Sequence, residues 1–331
     1  MISRVGVVGA GTMGCGIAQL CAQSGFSVKV FDAVHAAVKN LAAGLRKGLD
    51  GTVLKGKMTT MQADRAYHAV TAVTALEDLA GADLIIEAAA EDLEIKKELF
   101  RRLDEICPEA ILATNTSSLS VTGIAHSVRT AHRVVGLHFF NPPVAMKLVE
   151  LVRTPQTSPE VFAAVWDFAL TGLRKTPVDV KDKPGFIVNR VMRPYYVESQ
   201  RQASAGIAEL DGAARAIGGV PMGPFELMDL IGLDVNLAIT QSIYEACGRP
   251  PRFEPPALQR KLVALGHLGR KTGKGFYLYE GAKPFGVNPE AATAVSADAA
   301  HAWRAVIGAV IAEAELAHQE CVAGKMDIDT A

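Results

Sequence analysis

Four stretches of this chain carry polar residues where their neighbours are apolar or tightly punctuated. His138 sits in Gly136-Leu137-His138-Phe139-Phe140-Asn141-Pro142, and Glu150 in Lys147-Leu148-Val149-Glu150-Leu151. Asn115 and Ser117 lie in Ala113-Thr114-Asn115-Thr116-Ser117-Ser118, just beyond a strand pattern. Asn189 opens a helical pattern in Gly185-Phe186-Ile187-Val188-Asn189-Arg190. A carboxylate inside an apolar strand needs a partner, because burying it unpaired is costly. His138 is the candidate. A carboxylate on one ring nitrogen fixes the tautomer and favours the imidazolium, leaving the other nitrogen for general base work on an alcohol. The alternative reading is a satisfied core histidine, with Asn and Ser serving as caps.

A second constellation precedes these. Gly9-Ala10-Gly11-Thr12-Met13-Gly14 follows a strand pattern and opens a helical one. The first glycine permits a tight turn, the second lets the backbone approach a pyrophosphate, and the third lets helix and strand pack closely. Unpaired N–H groups at a helix N-terminus then bind phosphate. Asp32 ends the next strand pattern 18 residues after Gly14. It can accept from both ribose hydroxyls, and its charge repels a 2′-phosphate. No Arg or Lys follows it directly. The pattern favours NAD over NADP.

These residues require a scaffold of alternating strands and helices. Strand patterns occur at Val5–Val8, Val28–Phe31, Leu84–Glu87, Ile111–Ala113, Val134–His138 and Lys147–Val152. Helical patterns fall at Gly14–Ser24, Val34–Leu49 and Asp92–Ile106, with a helical excursion at Leu54–Arg65. The expected fold is a mainly parallel, doubly wound α/β sheet. Ligands of such sheets bind beyond the carboxyl ends of the strands, where Ser117 and His138 fall. The charged turn Lys181–Gly185 marks a boundary near Pro184. Beyond it, Phe186–Ala205, Phe225–Leu230 and Leu233–Cys247 read as helices of an all-helical domain that closes with Gly269–Tyr279. The expected division is residues 1–183, residues 184–280, and residues 281–331 as a linker (Gly281–Pro289) followed by an Ala-rich helix.

Composition narrows the functions. The chain has 331 residues, 49% of them hydrophobic, and a net charge of −1 from 34 basic and 35 acidic side chains. Such a balance offers no electrostatic footprint for nucleic acid or an anionic membrane. No apolar run approaches the ~18 residues of a spanning helix. The five cysteines are scattered and show no metal-ligand spacing, so neither a disulfide framework nor a metal site is expected. Met1 leads closely into a strand pattern, so the expected compartment is the cytoplasm, or an organelle if a leading segment has been cut off.

Taken together, GAGTMG, EAAAED with Lys96, ATNTSSLSVT, GLHFFNPPVAMKLVEL, KPGFIVNR, PMGPFELMDLIGLD and GRKTGKGFY resemble the L-3-hydroxyacyl-CoA dehydrogenase family over roughly Met1 to Tyr279. The resemblance implies a Rossmann-type NAD-binding domain and a helical domain that forms a homodimer. It implies His138 as general base toward the C3 hydroxyl of an acyl-CoA, oriented by Glu150. Ser117 and Asn189 would bind the substrate hydroxyl and thioester carbonyl, and Asn141 would support the site. Glu91, Lys96, Asn115 and Lys271 would lie near the cofactor with Gly9, Gly11, Thr12, Met13, Gly14 and Asp32. Lys55 and Lys57 would meet CoA, or are solvated surface lysines.

Two departures from the family pattern stand out. The segment between Gly206 and Asp211 is short, and the chain continues past Tyr279. The stretch from Ala299 resembles the opening of a second helical copy found in longer bacterial relatives. That implies a piece of a longer protein, or else a C-terminal helix adding a dimer contact. The resemblance implies short-chain or dicarboxylic substrates, 3-hydroxybutyryl-CoA or 3-hydroxyadipyl-CoA. A dehydrogenase of free hydroxy or sugar acids, like gulonate dehydrogenase and lambda-crystallin, and a non-catalytic NAD-binding subunit stay open beside it.

Overall fold

The computed structural model describes residues 2–293 and 295–331. The chain divides into two units, Met1–Phe186 with Ala323–Ala331, and Ile187–Val322.

In the first unit the order is β1 (Arg4–Val8), α1 (Thr12–Gln23), β2 (Ser27–Phe31), α2 (His35–Leu54), α3 (Thr60–His68), β3 (Val70–Val73), β4 (Leu84–Glu87), α4 (Leu93–Ile106), β5 (Ile111–Thr114), α5 (Val121–Ala125), β6 (Val134–Phe139), β7 (Leu148–Arg153), α6 (Pro159–Asp167) and β8 (Thr176–Lys181). The eight strands form one sheet in the order β3-β2-β1-β4-β5-β6-β7-β8. Neighbours run parallel except β6 and β7, which are antiparallel. β1, β4, β5 and β6 are short β-branched and aliphatic runs because the sheet is covered on both faces. Val7, Ile86, Leu137 and Leu151 join one core there. The chain leaves β1 toward β2 on one side and later returns with β4 on the other. The mouth of that reversal is where an open α/β sheet takes its ligand.

The edge strand β3 was not expected. Two of its four residues are exposed, so it lacks the apolar run that marks its neighbours. Helix α2 runs to Leu54, further than the expected end at Leu49. The excursion that follows forms α3, capped by Thr59 and Gln62 in a reciprocal capping box.

The second unit holds α7 (Val188–Val191), α8 (Arg193–Arg201), α9 (Ile207–Gly218), α10 (Pro224–Ile231), α11 (Leu233–Ala246), α12 (Ala257–Ala264), β9 (Tyr277–Glu280), β10 (Lys283–Val287) and α13 (Ala299–Gln319). Its core gathers Phe225, Met228, Phe276 and Trp303. The unit is helical, as expected, with one addition and one interruption. The segment expected as a linker, Gly281–Pro289, instead contains β10, which pairs antiparallel with β9. The expected helix Phe186–Ala205 is divided at Met192, because Pro194 cannot donate to the preceding turn. Buried Asp211 ties α10 to β9 by accepting the Phe225 and Glu226 N–H groups and the Tyr277 hydroxyl. Asp229 does the same for the Phe276 and Tyr277 N–H groups and the Tyr279 hydroxyl. On α13, Glu313 pairs with buried Arg190 at 2.7 Å and with Arg252 at 2.5 Å. Helix α14 (Lys325–Thr330) belongs to the first unit, where Asp327 accepts the Asp179 N–H at 3.2 Å.

Candidate active site

The glycine turn lies between β1 and α1. Gly9 has φ +107°, and an added Cβ there would overlap the Ala88 carbonyl. At Gly14 a Cβ would overlap the Gly9 carbonyl oxygen, while Gly11 faces open space. No side chain caps the first turn of α1. The turn therefore offers a cradle that a side chain would fill, and helix N–H groups with no capping acceptor. Asp32, just past β2, accepts the Ala10 N–H at 2.7 Å and the Val34 N–H at 2.7 Å. One carboxylate thus holds the turn and stands at the strand end where a ribose is bound. These features fit a dinucleotide.

Beside this turn lies a network in which Glu91 and Lys96, both expected near the cofactor, are joined by Glu87. Buried Glu87, the last residue of β4, accepts from the Lys96 ammonium at 2.5 Å, the Thr114 hydroxyl at 2.6 Å and the Ala89 N–H at 2.7 Å. Lys96 is 1% exposed and also lies 3.4 Å from Glu91. Glu91 accepts from the Thr116 hydroxyl, the Ser117 N–H and the Ser118 hydroxyl. Burial opposes its ionisation, but Lys96 and these donors outweigh burial and hold its carboxyl below the ordinary value. Glu87 was missed, although a carboxylate ending the apolar run Leu84–Ile86 is the same signal that marked Glu150. Thr114 and Thr116 carried no such signal.

The antiparallel pairing of β6 and β7 makes His138 and Glu150 register partners. The His138 Nδ1 lies 2.6 Å from a Glu150 carboxylate oxygen. Glu150 is 0% exposed and His138 is 5% exposed. A carboxylate can only accept, so Nδ1 carries the proton and Nε2 is left for an incoming alcohol. Phe140 and Phe186 pack their rings 4.7 and 5.8 Å from the imidazole. Asn115, at the end of β5, accepts the Phe139 N–H at 2.8 Å and so ties the Ser117 loop to the histidine strand. Asn141 is exposed and enters a cis peptide bond with Pro142.

The remaining expected residues lie as follows. Ser117 is half-buried in the loop after β5, and Asn189 is half-buried in α7 of the helical unit. Lys271, also in the helical unit, holds both Asp234 oxygens at 2.6 and 2.7 Å. Lys55 and Lys57 are exposed in the turn between α2 and α3. Among the described residues no cluster of His, Cys, Asp or Glu could hold a metal ion. No helix of the described residues is long and apolar enough to cross a membrane.

Residues 4–183 match the family model described as 3-hydroxyacyl-CoA dehydrogenase, NAD binding domain. Residues 185–279 match that described as 3-hydroxyacyl-CoA dehydrogenase, C-terminal domain. The chain is similar to a 3-hydroxyadipyl-CoA dehydrogenase of Escherichia coli, 45% identical over 83% of this chain and 59% of that relative's length. It is similar to a 3-hydroxybutyryl-CoA dehydrogenase of Mycobacterium tuberculosis, 41% identical over 84% of this chain and 99% of the relative. Among solved structures it resembles a 3-hydroxybutyryl-CoA dehydrogenase of Escherichia coli K12, with a TM-score of 0.89, 34% identity, and coverage of 100% of this chain and 88% of the other.

Proposed function

The chain belongs to the 3-hydroxyacyl-CoA dehydrogenase family, and from that premise we propose that it interconverts (S)-3-hydroxyacyl-CoA and 3-oxoacyl-CoA with NAD. The observation that carries this reading is the His138–Glu150 contact at 2.6 Å in a sheet whose other ligand turn fits NAD. The glycine turn and the α1 N-terminus would hold the pyrophosphate, and Asp32 the ribose hydroxyls. When bound, the nicotinamide supplies the hydride acceptor. In the oxidative direction His138 Nε2 takes the proton of the C3 hydroxyl. Glu150 keeps the ring oriented and faces the positive charge that develops on it. Ser117 and Asn189 would hydrogen-bond the substrate hydroxyl and the thioester carbonyl, restricting the reactant to one geometry. In reduction the same nitrogen returns the proton.

The finer assignments are also proposals. Glu91, Lys96, Asn115 and Lys271 are proposed to serve the cofactor. Asn141 would support the histidine strand, and Lys55 would meet CoA. The substrate is proposed to be a short-chain or dicarboxylic acyl-CoA. The 3-hydroxyadipyl and 3-hydroxybutyryl names of the relatives support both. A homodimer through the helical unit and a cytoplasmic location complete the reading.

The test is the oxidation of NADH with acetoacetyl-CoA, with NADPH as the cofactor control. Fast turnover specific to NADH is expected. Bound NADH without turnover of any acyl-CoA, or turnover of free hydroxy acids instead, would overturn the reading.

A further inference from the structure

Arg193 opens α8 and is 2% exposed. Its guanidinium donates to the carbonyl oxygens of Asn189 (2.7 Å) and Asn236 (3.3 Å) and to the Thr240 hydroxyl (3.1 Å). It lies 4.7 Å from the centre of the Tyr196 ring. Every one of these partners is neutral. Among the described residues no ion pair involves Arg193, whereas the neighbouring buried Arg190 has Glu313 and Glu320. Burial pulls the Arg193 guanidinium down to about 10, so it is still a cation at neutral pH. A buried charge without a counter-ion is costly, and protein interiors ordinarily pair it.

The surroundings extend the asymmetry. Asn236 is 0% exposed, and its Nδ2 has no hydrogen-bond partner. Gln259 donates to the Asn236 Oδ1 at 3.1 Å, which turns that donor outward from the Gln259 contact. A cation and an unsatisfied N–H donor on adjacent residues are the complement of a carboxylate. The one unmatched acceptor in the cluster, Gln200 Oε1, sits on a residue bound through its Nε2 to Gln259 at 3.1 Å.

Arg193 also stands four positions after Asn189, across the break at Met192, and its guanidinium reaches back to the Asn189 carbonyl oxygen at 2.7 Å. If Asn189 binds near C3 of the substrate, a carboxyl three carbon–carbon bonds beyond C3 falls within reach of the guanidinium. The geometry points to Arg193, with Asn236, as the group that binds the distal carboxylate of a dicarboxylic 3-hydroxyacyl-CoA and thereby sets acyl specificity. This rests on the dehydrogenase reading above, and on Asn189 as a substrate contact.

The test compares kcat/KM for 3-hydroxyadipyl-CoA and 3-hydroxybutyryl-CoA in the full chain and in Arg193→Met, a change that keeps an unbranched apolar stem and removes the charge. The wild type should prefer the dicarboxylic thioester. Arg193→Met should lose that substrate by at least about 30-fold while changing the short one by less than about threefold, the pattern of a lost charge-assisted contact. Arg193→Lys should recover part of the preference. Asn236→Asp supplies a competing internal carboxylate, so it should selectively weaken the dicarboxylic substrate even if Arg193→Met does not fold. An equal loss of both substrates in both variants, or a wild type with no dicarboxylic preference, overturns the proposal. A wild type that binds NADH but turns over neither thioester overturns the dehydrogenase reading, and this inference falls with it.

Discussion

His138 and Glu150 face each other across the antiparallel step between β6 and β7 of the main sheet, as register partners with Nδ1 and a carboxylate oxygen 2.6 Å apart. The reversal matters. Opposed residues on antiparallel strands are held by ladder bonds on both sides, so the ring position is set by the sheet, not by a loop. The charge of Glu150 is fully buried and confronts the imidazole directly.

Glu150→Gln keeps the volume and removes the charge. An amide can still accept from Nδ1–H, so the orientation is largely kept while support for the developing imidazolium is lost. We expect kcat to fall about 100-fold or more, with KM for the acyl-CoA changed far less. Steady-state kinetics at saturating NAD reads this directly. A variant with near-normal kcat would leave Glu150 as a packing residue.

Asp32→Ser is expected to act twice. It removes the repulsion toward a 2′-phosphate, and it removes the acceptor of the Ala10 N–H at 2.7 Å. NADH binding should weaken, and discrimination against NADPH should shrink by about tenfold or more. Calorimetric titration with both nucleotides measures the ratio. An unchanged ratio contradicts the role of Asp32 on the ribose.

Lys96→Met should be strongly destabilising because it leaves Glu87 buried beside Thr114 without its cation at 2.5 Å. Breaking such a pair costs about 3–5 kcal/mol. Adding Glu87→Gln should restore a good part of that loss, since no unpaired charge remains. Urea unfolding of the single and double variants tests the coupling. Additive losses would show that the two groups do not depend on each other.

Burial pushes Asp211 up to about 6, outweighing the donors from Phe225, Tyr277 and Glu226. Its folded value therefore lies above its unfolded value of 3.8. Stability from this group is complete below about pH 4 and is lost as pH rises through 6. Asp211→Asn does not titrate there. The wild type should thus lose about 2 kcal/mol relative to the variant between pH 4 and pH 7.5. Chemical unfolding at both pH values gives the difference, and a pH-independent gap would remove Asp211 as a stability switch.

Legibility in the sequence followed how local each signal was. The glycine turn was readable because its pattern is local, falling between one strand and the next helix, with Gly14 set against the Gly9 carbonyl five residues back. His138 and Glu150 were readable because buried polar residues stand out in apolar strands. The strand β3 was not, since half of it faces solvent. The β9–β10 hairpin was obscured because its pairing is pinned by Asp229, distant in sequence. The Glu87–Lys96–Glu91 network and the environment of Arg193 depend on which side chains converge in space. No spacing along the chain encodes that convergence.

If His138 moves the proton and the dinucleotide turn binds independently of it, one variant should separate the two functions. The most direct measurement is a single-turnover reduction of acetoacetyl-CoA by enzyme-bound NADH in His138→Gln, with NADH occupancy titrated on the same sample. NADH affinity should stay within about threefold of wild type while the hydride-transfer rate falls about 100-fold to 10,000-fold. Transfer at a near-normal rate with NADH bound would contradict that role of His138.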